Sequence, residues 1–150
     1  FKTESYNRFI IEVIKMLIST KGRYSLRVMI DLALHSSDGY IPLPVIAERQ
    51  NISEKYLESI ISILAKAKLV QGIRGKNGGY KLLRKPEEYT AGEILKLTEG
   101  TLAPVSCLES SENKCERSEF CLTLPLWKKL DDAINTCLDG VKLSDLIAEK

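Results

Sequence analysis

Residues 43–83 read LPVIAERQNISEKYLESIISILAKAKLVQGIRGKNGGYKLL, and the fold turns on this stretch. Ser53 is a good N-cap residue directly before Glu54-Lys55-Tyr56, so a helix is expected to open there. Leu57, Ile60, Ile61 and Leu64 then recur at helical spacing and make one apolar stripe. The other face carries Lys55, Glu58, Ser59, Ser62 and Lys66, polar groups able to reach a partner. A short helix from Pro44, a tight turn at Asn51-Ile52, and a second helix with a polar leading face is how a helix-turn-helix offers its recognition helix to the major groove. An ordinary core hairpin would show the same stripe, so the helices alone do not decide the matter.

The residues that follow weigh in favour of DNA. Val70–Arg74 reads as a short strand and Gly79–Leu83 as its return, with Gly75-Lys76-Asn77-Gly78-Gly79 as the turn. Three glycines allow positive φ and a close approach to another surface, while Arg74 and Lys76 bring positive charge to the tip. A β-hairpin wing directly after a recognition helix suits a minor-groove or phosphate contact. A plain surface hairpin with solvated charges is the bland alternative, and it weakens once both elements are taken together.

Bulk properties set the wider frame. Hydrophobic content of 44% and charged content of 28% in 150 residues describe an ordinary globular chain of one domain, or one domain with an appendage. No apolar run approaches a membrane span, and Phe9-Ile10-Ile11 is too short for a secretory signal and is followed by Glu12. A cytoplasmic location is therefore expected. The net charge of +2 hides an asymmetry. Residues 19–85 hold 12 Lys and Arg against 5 Asp and Glu, whereas residues 86–150 hold 7 against 13. A basic half beside an acidic half fits a nucleic-acid-binding module joined to a separate assembly or sensing region, with strongly salt-dependent binding. Uneven solvated faces would give the same numbers.

Outside the central stretch, residues 1–15 precede Met16 and read as an upstream extension with no assigned role. Ser19-Thr20 can cap a helix running to about His35, with Leu26, Met29, Ile30, Ala33 and Leu34 on its buried side. Lys21, Arg23 and Arg27 lie in its first half, placed for DNA backbone contact. His35, the single histidine, suits the helix end as a dipole partner better than it suits a metal. Thr90-Ala91-Gly92-Glu93 is a capping box opening a helix that stops at Gly100. Leu124-Pro125-Leu126-Trp127 begins a last long helix to about Leu138, with Leu126, Leu130, Ala133, Ile134 and Cys137 toward one side. So small a core cannot cover that side, which makes the helix a natural dimerisation element.

Cysteines supply the remaining signal. Cys107, Cys115 and Cys121 are spaced C-x7-C-x5-C in a polar loop, a poor fit to the usual burial of free cysteine. With no export signal, clustered thiols point to metal or redox chemistry rather than disulfides. Soft thiolates favour an Fe–S cluster or zinc, and the lack of CxxC knuckles argues against structural zinc. Reactive thiols are the alternative. Cys137 is read as core. An enzyme is disfavoured: there is no CxxC, no phosphate loop and no histidine near a cysteine.

Taken in order, MLISTKGRYSLR, ISEKYLESI, IRGKNGGYKL, TAGEIL, LEG, the three-cysteine loop and PLW resemble the Rrf-type (IscR/NsrR/CymR-like) family of bacterial winged helix-turn-helix regulators. The resemblance runs from Met16 to about Leu146. It implies a homodimer whose long C-terminal helix crosses between subunits, bound to a double-stranded DNA operator. It also implies a [2Fe–2S] cluster, or a [4Fe–4S] cluster in other members, on Cys107, Cys115 and Cys121. Lys55, Tyr56, Glu58 and Ser59 match recognition-helix positions, Glu58 at a site that helps choose the operator class, and Arg74 matches the wing arginine, with Lys76, Asn77 and Gly78 beside it. Two departures stand out: where one branch has a histidine three residues after the third cysteine this chain has Leu124, and where another has an N-terminal aspartate it has Arg23. The fourth ligand is thereby open among Glu109, Glu112, Glu116, Glu119, His35, Cys137 and a small molecule. Other members lack the cysteines and sense through a protein partner.

The expected architecture is mainly α with a small β-hairpin wing. Residues 16–85 form the winged helix-turn-helix domain, 86–123 a linker helix and cysteine-containing sensor loop, and 124–150 the dimerisation helix and C-terminal segment. The expected function is a homodimeric transcription regulator, with repression as its expected sense, that reads iron–sulfur or redox status through a cluster. The alternative is the same regulator without a cluster, controlled by thiol oxidation or by a protein partner of cysteine metabolism.

Overall fold

A computed structural model describes residues 18–148; the extension at residues 1–15 lies outside them. Six α-helices and one β-hairpin occur in the described residues: α1 (Thr20–Leu34), α2 (Leu43–Gln50), α3 (Glu54–Lys66), β1 (Val70–Ile73), β2 (Gly79–Leu82), α4 (Ala91–Glu99), α5 (Leu124–Gly140) and α6 (Leu143–Ala148). The architecture is the expected one: a mainly helical winged helix-turn-helix with a long helix near its C-terminus.

Helix α1 starts where Ser19 accepts from the Gly22 N–H at 3.1 Å. Ser19 itself donates through its backbone N–H (3.0 Å) and hydroxyl (2.7 Å) to the Glu99 carboxylate at the end of α4, locking these two helices at one point. The buried side of α1 is Ser25, Val28, Met29, Asp31, Leu32 and Ala33. Leu26 and Ile30, expected inside, are only partly buried, and Leu34 is exposed. The face is rotated because a polar residue, Asp31, occupies a core position and holds partners there.

Helix α2 ends at Asn51, which adopts the left-handed conformation (φ 53°, ψ 51°) that asparagine tolerates better than most residues. Ser53 then caps α3 by accepting from the Tyr56 N–H at 3.3 Å. Leu57, Ile60, Ile61 and Leu64 of α3 are buried in the common core with Val28, Met29, Leu32, Ile46, Val70 and Ile94. At its far end α3 closes with a Schellman motif: Leu69 N–H donates to Leu64 O (2.9 Å) and Lys68 N–H to Ala65 O (3.0 Å), with Lys68 at φ 59°. That reversal launches β1.

The wing pairs antiparallel with Val70 opposite Leu82 and Ile73 opposite Gly79. Ile41 adds one bridge to Tyr80 through two backbone bonds of 2.9 and 2.8 Å. Of the three turn glycines only Gly75 takes positive φ (110°). Gly79 serves close approach instead, since a Cβ there would collide with the Ile41 backbone. The approach is to the chain's own core, not to an outside surface.

Thr90 caps α4 by accepting from the Glu93 N–H at 3.0 Å, but the expected capping box is only half made. The Glu93 carboxylate instead accepts from Arg84 Nη2 at 2.6 Å, tying α4 to the residue after the wing. Gly100 stops α4 at φ 80°. Helix α5 touches α4 through its last turns, where Lys96 meets the Asp139 carboxylate at 2.8 Å and Gly92 leaves room for Asp139. Apart from this docking, none of its 17 residues is buried. The charged pair there is exposed and contributes little.

Candidate nucleic-acid interface and cysteine loop

Two opposite requirements shape α3. Its apolar stripe is held inside, and the residues between the stripe positions face solvent. Lys55, Glu58, Ser59, Ser62 and Lys66 are all exposed, as expected. The Ser59 hydroxyl donates back to Tyr56 O at 2.6 Å in this state. Tyr56 is half-buried and meets Tyr24 edge-on, with ring centroids 5.9 Å apart. A rigid aromatic pair thus joins the front of α3 to α1, which fixes the helix that would enter a groove.

Arg74, Lys76 and Asn77 are exposed at the wing tip, beside half-buried Gly78. From α1, Arg23 is exposed and Lys21 is half-buried. Arg27 differs from its neighbours. It lies over the Tyr24 ring at 4.9 Å and donates to the side chain of Gln50 at 3.2 Å and to the Gln50 backbone carbonyl. Its guanidinium is thus already engaged in holding the end of α2, and any phosphate it meets must share it.

Behind Gln50 sits a polar cluster that periodicity does not reveal. Asp31 is 2% exposed. It accepts from Arg49 Nε (3.1 Å) and Nη2 (2.6 Å) as a two-pronged pair and from Gln50 Nε2 at 2.9 Å. A buried carboxylate is tolerable only when so fully partnered. The His35 Nδ1 lies 2.8 Å from the Asp31 carbonyl oxygen, so the histidine is engaged at the helix end and not with the cysteines.

The cysteine loop runs from Thr101 to Thr123 with two single 3-10 turns, Ser106–Leu108 and Ser118–Phe120. Cys107 and Cys121 are half-buried, Cys115 is exposed, and all are free thiols. In kind these donors suit an iron–sulfur cluster. Among the described residues no three His, Cys, Asp or Glu stand close enough to hold a single metal ion, while Cys107 and Cys115 line one surface depression. Cys121 Sγ lies 3.4 Å from the Thr123 hydroxyl, which also accepts from Trp127 Nε1 at 3.2 Å. The Thr123 hydrogen bond, helped by Arg117, holds the Cys121 thiol below the ordinary cysteine range. Cys137, read as core, is instead exposed. It lies on the open side of α5 along an apolar groove of about 530 Å³ lined by Ile18, Leu102, Pro104, Leu130 and Ile134. A helical stripe looks the same in sequence whether its cover comes from the same chain or another.

Fold and surface together define a winged-helix DNA-binding protein. The Rrf2 family model, described as an iron-dependent transcriptional regulator, matches residues 18–149, and the chain belongs to the Rrf2 family of transcriptional regulators, not to an enzyme family. It is 39% identical over 134 residues to the HTH-type transcriptional regulator IscR of Aliivibrio salmonicida, covering 89% of this chain and 79% of that one. It is 44% identical over 131 residues to the HTH-type transcriptional regulator CymR of Bacillus subtilis, covering 87% and 89%. Among solved structures, T. potens IscR superposes with a TM-score of 0.70 at 38% identity, over 89% of this chain and 87% of that one. CymR, the global cysteine regulator of B. subtilis, superposes at 0.73 with 40% identity, over 89% and 98%. Regulators of both names stand at similar identity, so family membership gives the regulator and not its mode of sensing. No helix among the described residues is long and apolar enough to cross a membrane.

Proposed function

We propose that this chain is a cytoplasmic, homodimeric transcription regulator that reads a double-stranded DNA operator with α3 and the wing. Residues 16–85 form the reading unit, residues 86–123 take the signal and residues 124–150 pair the subunits. The observation that carries the DNA reading is the division of α3: Leu57, Ile60, Ile61 and Leu64 are locked inside while Lys55, Glu58 and Ser59 are exposed, as is Arg74 on the wing. Lys55 and Arg74 supply cationic donors for phosphate or base edges, and Glu58 an acceptor suited to a cytosine amino group. Pairing is supported by a 17-residue helix with no buried residue. With a duplex selected from a random-sequence library by the wild-type protein, Arg74→Ala is expected to weaken binding about tenfold and to flatten the salt dependence. Equal affinity and equal salt slope for both proteins would remove the wing from the interface.

Cys107, Cys115 and Cys121 take the signal. Bound to all three, a [2Fe–2S] or [4Fe–4S] cluster would supply covalent ties across the loop that leads into α5. The described conformation does not bring three donors around a single metal ion, so the thiols stand apart from any one-metal site. The second reading, thiol chemistry without a cluster, draws on the same separation and on the hydrogen bond that favours the Cys121 thiolate. Anaerobically prepared protein decides between them by its visible absorption and its content of iron and acid-labile sulfide. A cluster gives brown protein carrying both elements, with the colour lost in Cys115→Ala. Colourless protein that resists reconstitution leaves the thiols as the sensor.

A further inference from the structure

One side chain reinforces the base of the wing, where the Leu83 N–H also donates directly to Leu69 O at 3.3 Å. Tyr89 is fully buried. Its hydroxyl donates to Leu69 O (2.7 Å), immediately before β1, and accepts from the N–H groups of Leu83 (3.1 Å) and Arg84 (2.8 Å), immediately after β2. A phenol has one proton to give and two lone pairs to fill, so these three bonds exhaust it. The Arg84 guanidinium covers the ring at 4.2 Å from its centroid.

The backbone of the same residue faces the opposite end of the molecule. Tyr89 O accepts from Leu143 N–H at 3.0 Å, and Ala91 N–H donates to Val141 O at 2.8 Å. Thr90 and Lys142 form an antiparallel bridge between these bonds. The segment leaving α5 is therefore paired to the residue whose hydroxyl clamps the wing. An ordinary core tyrosine needs one nearby carbonyl for its proton; this one spans both strands and joins them to α5.

We propose that Tyr89 is a positioning residue for DNA binding, fixing the wing base through its hydroxyl and tying that base to the end of α5 through its carbonyl. The assignment rests on the reading of the wing as a DNA contact. Residues 71–77 are all exposed, so the pose of Arg74 depends on the strand base and on the Ile41–Tyr80 bridge. A tilt of about 5° at the base moves a tip about 13 Å away by about 1 Å, enough to lose a hydrogen bond.

Tyr89→Phe keeps the ring and removes only the hydroxyl. Affinity for the selected duplex is to be measured for wild type, Tyr89→Phe, Arg74→Ala and the double variant. Each single change is expected to weaken binding about tenfold, and the double variant about as much as Arg74→Ala alone, because the two act through one contact. Losses that multiply to about a hundredfold overturn the proposal, since they make the hydroxyl a general support of the fold. Wild-type affinity in Tyr89→Phe beside a weakened Arg74→Ala overturns it alone. Wild-type affinity in Arg74→Ala overturns the wing contact and the positioning role together. Hydrogen exchange of the wild-type protein adds a test that needs no variant. The Arg84 amide, which donates to the Tyr89 hydroxyl, should exchange as slowly as those of the core; exchange as fast as at Lys76 and Asn77 overturns the clamp.

Discussion

Arg49→Ala is expected to lower the unfolding free energy by about 3 kcal/mol, because it strands a carboxylate inside the protein. Asp31 is 2% exposed and takes both prongs of the Arg49 guanidinium, with Gln50 as the other hydrogen-bond donor and the His35 Nδ1 4.0 Å from its carboxylate. Arg49 is itself 30% exposed, so water entering the space it leaves keeps the loss toward the lower end of what broken buried pairs cost. Arg49→Lys should fall between, since an ammonium offers a point charge where a planar fork fitted two oxygens. Removing the orphan together with its partner, as in Asp31→Leu with Arg49→Met, should cost less than Arg49→Ala alone. Urea titration decides: the midpoint should fall with the slope unchanged. A shift within about 0.5 kcal/mol would mean that the pair holds nothing that water cannot replace. DNA binding should suffer alongside, because Gln50 links this cluster to Arg27 and to the turn that sets α3.

Leu126→Glu combined with Leu130→Glu is expected to halve the solution mass and to weaken operator binding about 100-fold or more. The two leucines are 57% and 38% exposed in the single chain, so the folded monomer loses little when they become charged. A paired helix would have to bury those carboxylates against apolar neighbours, which is prohibitive. Losing the partner removes the second recognition helix, and with it the gain from engaging two half-sites at once. Sedimentation gives the mass and thermal melting gives the monomer's integrity. An unchanged mass at unchanged stability would show that α5 is not the surface that pairs.

Much of this architecture can be read from local chemistry. Ser53 before Glu54 marks the start of α3, the four-residue apolar stripe marks its buried side, and the glycines around Lys76 mark the turn of the wing. Each is a signal between neighbours, which a linear reading captures. What escaped the reading is what distant partners decide. Asp31 looks like a solvated helix residue until Arg49 arrives from another helix. Tyr89 sits in an unremarkable Pro-Glu-Glu-Tyr stretch, and only the closure of the wing onto it gives its hydroxyl three partners. Glu93 completes a capping-box pattern, yet its carboxylate is drawn to Arg84. Cys137 falls on the apolar face of α5, but that face is uncovered within the chain. The cysteine trio is legible in sequence as a candidate metal or redox motif, because three thiols cluster in a polar loop; a fourth ligand is not, because it depends on how that loop folds.

That no residue of α5 is buried in the single chain separates folding from pairing. On the paired-helix reading, each molecule can fold on dilution, whereas the two-headed reader exists only above the dissociation constant of the pair. Below that threshold operator occupancy grows with the square of the amount of protein made, so a twofold change in synthesis is felt as about a fourfold change at the promoter. Gene dosage and proteolysis thereby become inputs in their own right.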